Sequence, residues 1–571
     1  MQKECTKCKL TFEITPDDEG FYNKIKVPPP TLCPQCRYIR RLLDRNEYNL
    51  YRRKCDATGK SIISIYREDT AFPVYNQDYW KSDQFDAMQY GRDFDFSKQF
   101  FEQYEELRRA VPHLAMVNSS SVKSEFTNQA NDMKDCYMLF TSTGADKCMY
   151  GSWCQQNSYF LSDCYMAQKS EFCYECVDIT KCSQCMYLHN CSDCVNVYFS
   201  NDCRGCTDCF GCVGLRSKQY YWFNENIGRE EYIIRSKEFF WNRKFMQETK
   251  EKFSKFKSTF PVKFYHGSNA QNSSGDYIQN TERARMAFNC RDNKDASYMQ
   301  DSWEKTEDCR DCTEIILGEL SYEIQGMASP IRSISCRSCL NGAIDSYYCD
   351  MSFSLQDCLG CFGLKQKQYC ILNKQYSKEE YLVLKEKIIE HMRQTKEWGE
   401  YFPAEVSPFA YNESMAQDYF PLTKEEALEA GYRWYDRPAR DYKITLHTKD
   451  LPETIDEVSD DITKEVIECS TQNSSDKQNY PLCTTAFNLT PLELVLYRKL
   501  KIPIPEKCFP CRRQDRFKLR NPRKLWHRIC MCDKNHTNHE AGKCEVKFET
   551  SYSPDRSEIV YCEKCYQQEV Y

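Results

Sequence analysis

The stretch DCRGCTDCFGCVGLRSKQY, from Asp202 to Tyr220, decides the fold because it repeats a cysteine every three residues, at Cys203, Cys206, Cys209 and Cys212. Taken alone, this spacing suggests iron–sulfur ligands, because such clusters take thiolates from closely spaced CxxC steps. The chain contains the stretch twice, since DCFGCVGLRSKQYYWFN (208–224) aligns with DCLGCFGLKQKQYCILN (357–373). In the second copy the four equivalent positions are Ser352, Leu355, Cys358 and Cys361.

Serine and leucine cannot replace thiolates on a cluster, but they can replace a buried cysteine. Ala343 likewise stands where the first copy has Cys194. The comparison therefore disfavours an iron–sulfur cluster and favours cysteines that serve as small core residues. Zinc bridges between neighbouring CxxC turns, and a redox site, stay open as alternatives.

The surrounding sequence repeats as well. From Phe172 the cysteines fall in nine-residue units, FCYECVDIT, KCSQCMYLH and NCSDCVNVY, and each unit is a short apolar strand bounded by turn residues. Short strands at regular spacing indicate a β-solenoid. We expect two cysteine-rich arrays, over 131–224 and 290–376, each leading into a helical connector, over 225–289 and 377–436. The number of strands in one coil stays undetermined.

Both ends of the chain carry paired CxxC knuckles, which predict zinc ribbons because two sulfurs of one tight turn can face one ion. The pattern around Cys8 to Cys55 returns 475 positions later, with Tyr480 where Cys5 would predict a cysteine, so Cys469 is the expected replacement. We predict three zinc sites. Their ligands are Cys5, Cys8, Cys33 and Cys36; Cys469, Cys483, Cys508 and Cys511; and either Cys530 or Cys532 with Cys544, Cys562 and Cys565.

Two details qualify this ligand set. The first copy of the last ribbon has decayed, because Thr58, Asn76 and Tyr79 replace its cysteines, so no metal is expected beside Cys55. The insert DKNHTNHEAGK adds His536 and His539 as possible substitute ligands, although we expect solvated loop histidines there. The ribbon modules then cover 1–79 and 469–571.

A basic segment follows the second knuckle in each copy. Residues 37–54 contain seven arginines and lysines against two acids, and residues 512–528 contain eight against one. Basic residues interleaved with aromatics are typical of nucleic-acid contact. A solvated charged helix and an acidic protein partner are the alternatives. The candidate nucleic-acid-binding residues are Arg37, Arg40, Arg41, Arg45, Arg52, Arg53, Arg512, Arg513, Arg516, Arg520, Arg523, Lys524, Trp526 and Arg528.

The remaining segments connect these modules. Residues 80–130 are expected to form a helical cap on the first array, because Phe100, Tyr104 and Leu107 lie near helical spacing. Residues 437–468 are polar and partly acidic, and we expect a flexible linker there. The arrays themselves are mildly acidic, so a protein partner on the solenoid is more plausible than a phosphate backbone along its length.

Composition bounds the function. The 571 residues include 37 cysteines but only eight histidines, and the net charge is −6. No apolar run of 18 residues suggests a membrane span, and many unpaired thiols favour the cytoplasm. We find no Walker loop, dinucleotide fingerprint, HExxH or nucleophile elbow, and no small-molecule substrate is evident. The sequence favours a non-enzymatic scaffold that contacts RNA or DNA, with RNA or the ribosome slightly ahead. A metal- or redox-handling protein is the alternative, and an unrecognised enzyme is the last hypothesis.

Four phrases, CFGCVGLRSKQY, CFGLKQKQYCILNKQYSKEEY, AQDYFPLTKEEALEAGYRW and YSPDRSEIVYCEKCY, carry a resemblance over nearly the whole chain. They resemble an uncharacterised family of cysteine-rich zinc-ribbon proteins encoded by ultra-small, reduced-genome bacteria. The resemblance implies a cytoplasmic bacterial protein. It implies no activity. Tyr480 and the insert near Cys544 are departures from the pattern at the C-terminus.

Overall fold

The middle of the chain is a β-solenoid, in which each short strand pairs in parallel with the next coil. This computed structural model describes all residues except 238–240, 303–305, 314, 316, 327–328, 338–340, 439–441, 475–476, 478–479, 538, 540–541 and 571. The solenoid has about 20 turns, with several helices and with cysteine clusters at both termini. The predicted mainly β fold class is confirmed.

Most coils contain 12 residues, and a few contain 11 or 13. Val177 pairs with His189 on the next coil, and the Cys182 amide donates to the Ser170 hydroxyl 12 residues earlier. Within a coil, every third residue adopts a left-handed conformation, as at Glu175 and Asp178, and the residue after it is buried in the interior. A coil therefore consists of four triplets. This answers the question of coil length that the nine-residue units left open.

A left-handed conformation costs a residue with a side chain about 1–2 kcal/mol, so a repeat of it needs compensation. Hydrogen bonds to both neighbouring coils supply it. The Tyr174 amide donates to the Cys185 carbonyl on one side, and the Glu175 amide donates to the Ser162 carbonyl on the other. Asp178 occupies a left-handed position, which agrees with the tolerance of Asp and Asn for this region.

The four cysteines of the opening stretch fill the four inward positions of a single coil. Each is fully buried, and each sulfur lies within 3.6 Å of the carbonyl oxygen two residues earlier, to which its thiol can donate; they are Cys203, Cys206, Cys209 and Cys212. Burial raises the pKa of Cys136 and of Cys164 to about 11, so these thiols are protonated at neutral pH. The inward cysteines are small core residues.

The arrays begin earlier than the sequence indicates. The first starts at Asn118–Ser119 and not at 131, and the second starts at Gly267–Gln271 and not at 290, because these strands already pair in parallel with the next coil. The main strands of the first array are Asn118–Ser119, Asn128–Lys134, Phe140–Asp146, Ser152–Tyr159, Tyr165–Gln168, Val177–Thr180, His189–Ser192, Val195–Tyr198, Thr207–Phe210 and Gln219–Trp222. Those of the second are Gly267–Gln271, Ile278–Glu282, Asn293–Lys294, Thr306–Glu307, Pro330–Ile331, Asn341–Ile344, Phe353–Leu359 and Gln368–Ile371.

Each array ends in the same way. An antiparallel return strand, Glu225–Asn226 or Lys374–Gln375, covers the last strand, and a helix follows it. Closure of this kind protects the end of a solenoid from edge-to-edge association. The helices of the described chain are α1 Pro16–Lys24, α2 Pro34–Leu43, α3 Gln77–Lys81, α4 Phe100–Ala110, α5 Gly228–Lys237, α6 Arg243–Lys257, α7 Lys378–Gln394, α8 Ala416–Tyr419, α9 Lys424–Glu429, α10 Pro491–Leu500, α11 Phe509–Phe517 and α12 Glu563–Val570. None of these described helices is long and apolar enough to cross a membrane.

Helix α4 packs on the second array, whereas the sequence suggested the first. The Phe100 ring lies 5.2 Å from the Tyr348 ring, measured between centroids, and the Arg92 amide donates to the Leu372 carbonyl. The sequence suggested the first array because α4 comes directly before it along the chain, but the apolar side chains of α4 pack against the second array.

The expected flexible linker is packed. Its described part contains five apolar side chains that are buried in the same core as α10; they are Leu451, Ile455, Val458, Ile462 and Ile467. In addition, Arg498 of α10 donates to Asp460 at 2.6 Å. Five buried residues spread among many polar ones leave no visible period in the sequence, so its composition indicated a loop.

Replacement of Cys173 tests whether the inward thiols are core residues. Cys173→Ser is expected to cost less than about 1.5 kcal/mol in the free energy of unfolding and to leave the metal content unchanged, because serine already fills the inward position at Ser170. Cys173→Asp is expected to cost several kcal/mol, since it buries a charge without a partner. Urea unfolding and elemental analysis measure both effects. Loss of metal from the serine variant would contradict the core interpretation.

Candidate metal centres

The N-terminal ribbon is a short hairpin followed by two helices. Strands Gln2–Glu4 and Thr11–Glu13 pair in antiparallel fashion, and Cys33 forms the N-cap of α2. The fold brings Cys5, Cys8, Cys33 and Cys36 together, with all four sulfurs within 4.8 Å of one another. The Cys8 and Cys33 sulfurs lie 3.7 Å apart. Tetrahedral zinc with bonds of about 2.3 Å spaces its sulfurs at about 3.8 Å, so the group can hold such an ion.

A second four-thiolate group lies near the C-terminus. Cys469 joins Cys483, Cys508 and Cys511, while Tyr480 donates its hydroxyl to Asp515 and takes no part. The Cys508 sulfur lies 3.4 Å from that of Cys511 and 3.8 Å from that of Cys483. The residue that takes the place of the missing ligand is Cys469, which directly follows the strand Ile467–Glu468.

The last ribbon contains two overlapping groups. Cys530, Cys544, Cys562 and Cys565 form a third four-thiolate set, in which the Cys544 and Cys562 sulfurs lie 4.0 Å apart. Cys532 is not a member of this set. It lies instead with His536, His539 and Cys565, again with all ligand atoms within 4.8 Å of one another. The spacing in the sequence did not distinguish Cys530 from Cys532 as a ligand, and the structure places each of them in a different group of possible ligands.

One backbone hydrogen bond recurs in every ribbon. The amide of the third ligand donates to the sulfur of the first: from Cys33 to Cys5 and from Cys508 to Cys469 at 3.3 Å, and from Cys562 to Cys530 at 3.2 Å. An amide aimed at a sulfur stabilises its thiolate form. In addition, a hydrogen bond from Cys36 lowers the pKa of Cys33 to about 5.

The same hydrogen bond survives in the decayed ribbon. The Asn76 amide donates to the Cys55 sulfur at 3.3 Å, and the Asn76 side chain caps α3 by accepting from the Tyr79 amide at 2.8 Å. Asn76 thus occupies the place of a third ligand but acts as a helix cap. Within the described residues Cys55 belongs to no group of three possible ligands. We therefore still expect no metal there.

The basic segment of the N-terminal ribbon is buried against the second array. Arg37 and Arg41 both contact Asp311, at 2.9 and 3.3 Å, and all three side chains are at most 1% exposed. Arg40 donates to Glu323 at 2.9 Å. Further buried members are Arg45, which pairs with Glu47, and Arg53, which pairs with Asp56 at 2.8 Å.

The C-terminal basic segment contacts both arrays. Arg512 and Arg516 lie 3.1 and 2.6 Å from Asp163 of the first array, and Arg523 binds Asp301 of the second with two hydrogen bonds of 2.6 and 2.8 Å. Arg520 pairs with Asp178 at 3.0 Å, and Arg513 pairs with Asp418 at 2.9 Å. These arginines are not an open phosphate-binding surface.

Four of the fourteen candidate nucleic-acid residues differ from this pattern. Arg52 and Lys524 are exposed, and Trp526 and Arg528 are half-buried. The sequence contained a signal for the burial of the others, because the arrays are acidic and the ribbons are basic. The opposite charges predict that ribbons and arrays attract each other, but they do not show that the arginines become buried against arrays of the same chain.

No family model matches the chain, and the search of curated proteins returned no significant match. The fold and the sites therefore define the class by themselves. The protein is a β-solenoid with terminal groups of cysteines that could hold metal ions and that are consistent with zinc in number, spacing and chemistry.

Two equivalent cysteines allow a controlled test of the N-terminal centre. Cys5→Ser is expected to remove about one metal ion per chain, because a tetrahedral site loses a ligand. Cys55→Ser changes the same position of the decayed ribbon and is expected to remove none. Mass spectrometry under native conditions counts the ions. Equal losses from both variants, or no loss from either, would contradict the assignment.

Proposed function

We propose that the protein is a non-enzymatic scaffold, in which zinc ribbons hold arginine-bearing segments against two acidic solenoid arrays. One observation carries the proposal: in the first and second of the three cysteine groups, the residue after the fourth cysteine is a buried arginine that pairs with a buried aspartate. Arg37 follows Cys36 and pairs with Asp311, and Arg512 follows Cys511 and pairs with Asp163. The metal centre and the docking contact are thus adjacent in sequence and in space.

The two aspartates hold corresponding positions. Asp163 and Asp311 are both left-handed residues directly before an inward cysteine, and both side chains are fully buried. A buried carboxylate needs a charged partner to offset its desolvation. A zinc ribbon orders the start of the helix that carries the arginine, α2 or α11. The guanidinium can then reach the carboxylate without a further loss of backbone entropy.

Charge supports this internal role. A ribbon that neutralises buried acids of its own chain has no charge left for an external polyanion at the same positions. The proposal therefore replaces the predicted nucleic-acid contact at ten arginines with an intramolecular contact. The resemblance to zinc-ribbon proteins of reduced-genome bacteria and a cytoplasmic location fit the proposal, since all cysteines that the structure describes are free of disulfide bonds.

Nucleic-acid binding is the second candidate function, at the hairpin Trp526–Ile529 with Lys547–Thr550. The Lys524 ammonium lies 5.2 Å from the Trp526 ring centre, and the neighbouring His527 is 89% exposed. An accessible aromatic beside cations suits base stacking together with phosphate contact. RNA, DNA and the ribosome share this chemistry, and RNA stays the favoured ligand of this candidate.

The cysteines of the solenoid support the hypothesis of a metal- or redox-handling protein less well than they support the scaffold. Hydrogen bonds from Cys194, Cys203 and Cys209 lower the pKa of Cys206, so thiols do contact one another in this part of the core. Within the described chain, however, the solenoid cysteines form no group of three sulfurs as close as those in the ribbons. They are also fully buried, which removes the access that a redox exchange requires.

A double-mutant cycle on Arg523 and Asp301 tests the docking contact. Arg523→Met is expected to cost about 3–5 kcal/mol in the free energy of unfolding, because it leaves a buried carboxylate unpaired. Arg523→Met with Asp301→Leu is expected to cost less than Arg523→Met alone. Arg52→Met is the control, with an effect within about 0.5 kcal/mol, since Arg52 is exposed.

The same pair has a pH signature. Burial raises the pKa of Asp301, but Arg523, together with Arg45 and a hydrogen bond from Asn289, lowers it more, so the pKa lies below its usual value of 3.8. The resulting stability is present above that usual value and is lost as the pH falls through the lowered pKa. In the double-mutant cycle, the docking proposal would be refuted if Arg523→Met alone and Arg523→Met with Asp301→Leu lowered the free energy of unfolding by the same amount.

Charge reversal tests the second candidate. Lys524→Glu with Arg528→Glu is expected to weaken binding of single-stranded RNA and to reduce the dependence of affinity on salt. Lys244→Glu on α6 is the control, because Lys244 is 81% exposed but lies on another element. Fluorescence anisotropy at several salt concentrations measures both. Absent binding, or binding that the hairpin variant leaves unchanged, would exclude a nucleic-acid role for this hairpin.

A further inference from the structure

We infer that the last ribbon holds two metal ions that share the Cys565 thiolate, so that the chain binds four ions and not three. The inference starts from the two overlapping groups, which have Cys565 in common. It rests on the proposed zinc occupancy of the four-thiolate sites and adds one site to them.

The second group has the spacing of a tetrahedral centre. The Cys532 sulfur lies 3.5 Å from Nδ1 of His536, and the Cys565 sulfur lies 3.3 Å from Nε2 of His539. Zinc bonds of about 2.3 Å to sulfur and about 2.05 Å to nitrogen separate these atoms by about 3.6 Å. Two thiolates with two imidazoles are a common donor set for zinc.

The number of ligands matches two ions with one bridge. Seven side chains form the two groups, and two four-coordinate ions that share one ligand need that number. Cys565 is the shared member, and a thiolate sulfur has enough lone pairs to bind both ions. If the two groups did not share it, one ion would lack its fourth protein ligand.

A carboxylate supports one of the histidines. Nε2 of His536 lies 3.0 Å from a carboxylate oxygen of Glu569, which is one turn after Cys565 on α12. Metal-bound histidines usually donate their second ring nitrogen to such a group, which fixes the ring and directs the other nitrogen at the metal. Here the other nitrogen, Nδ1, faces Cys532.

The histidines also differ from solvated loop residues, which the sequence suggested. The His536 side chain is only 6% exposed, whereas His527 of the same ribbon is 89% exposed. An imidazole that is buried beside two cysteine sulfurs is placed as a metal ligand would be, and not as a side chain that only fills the apolar core. The insert between Cys532 and Cys544, without counterpart in the other ribbons, supplies this additional site.

Electrostatics favours the second ion. Four thiolates around one divalent ion carry a formal charge of about −2, and five thiolates around two ions carry about −1. The second ion thus removes part of the negative charge that burial makes unfavourable. Lys534, which pairs with Glu569, further reduces the charge at this end.

Metal counting on the full chain tests the inference. The wild type loaded with zinc is expected to hold about four ions, and His536→Ala with His539→Ala is expected to hold about three. His527→Ala is the matched control and is expected to keep four. Cys565→Ser is expected to lose two ions, whereas Cys5→Ser loses one. A wild type with three ions, or a histidine variant that keeps the wild-type count, would overturn the inference.

A second measurement needs no variant at the centre. With cadmium-113 in place of zinc, the shared sulfur is expected to give scalar coupling between two of the four cadmium signals. Four signals without coupling would overturn the bridge. If the proposed function failed instead, the sites defined by Cys5 and Cys469 would also lack metal, so the two failures are distinguishable.

Discussion

The narrow interior of the 12-residue coil is the constraint on which the structure depends. Each triplet points one side chain inward, and four such side chains must fit in one layer. Cysteine, serine, alanine and the smaller aliphatic residues satisfy this limit, whereas large aromatic rings must lie outside. The cysteine content therefore follows from packing, because a thiol is small, apolar and able to donate weakly to a nearby carbonyl. Within the described residues, the inward cysteines form no group of three sulfurs as close as those in the ribbons.

Outside the coil, charge organises the rest of the molecule. Left-handed positions favour aspartate, so the solenoid presents carboxylates at a regular spacing. The ribbons provide the compensating arginines, and both partners are removed from water at Asp311 and Asp163. Ion pairs of this kind define orientation more than stability, because most of their Coulomb energy is spent on desolvation. Their geometry explains why ribbons far apart in sequence meet the same body.

The metal centres link these two levels. A cysteine knuckle has little core of its own, and metal binding supplies the free energy that orders it. Where the centre has decayed, at Cys55, an asparagine cap maintains the same local backbone. At Cys565, the insert after Cys532 places His536 and His539 beside a ribbon cysteine as possible further ligands. The backbone hydrogen bond to the first cysteine is present at both places, so the backbone turn is the same at Cys55 and at Cys530.

The sequence by itself determined the class of fold and the members of the first two cysteine groups, because both depend largely on spacing along the chain. Short strands with turn residues defined the solenoid, and CxxC steps placed Cys5, Cys8, Cys33 and Cys36 around one point. Tertiary structure alone decided which array each segment contacts, the burial of Arg37 and Arg523, and the separation of Cys530 from Cys532. The first two depend on contacts between residues hundreds of positions apart, and the third depends on how the insert folds back onto its own ribbon. A basic helix has the same sequence pattern whether it faces a phosphate, the solvent or a buried aspartate.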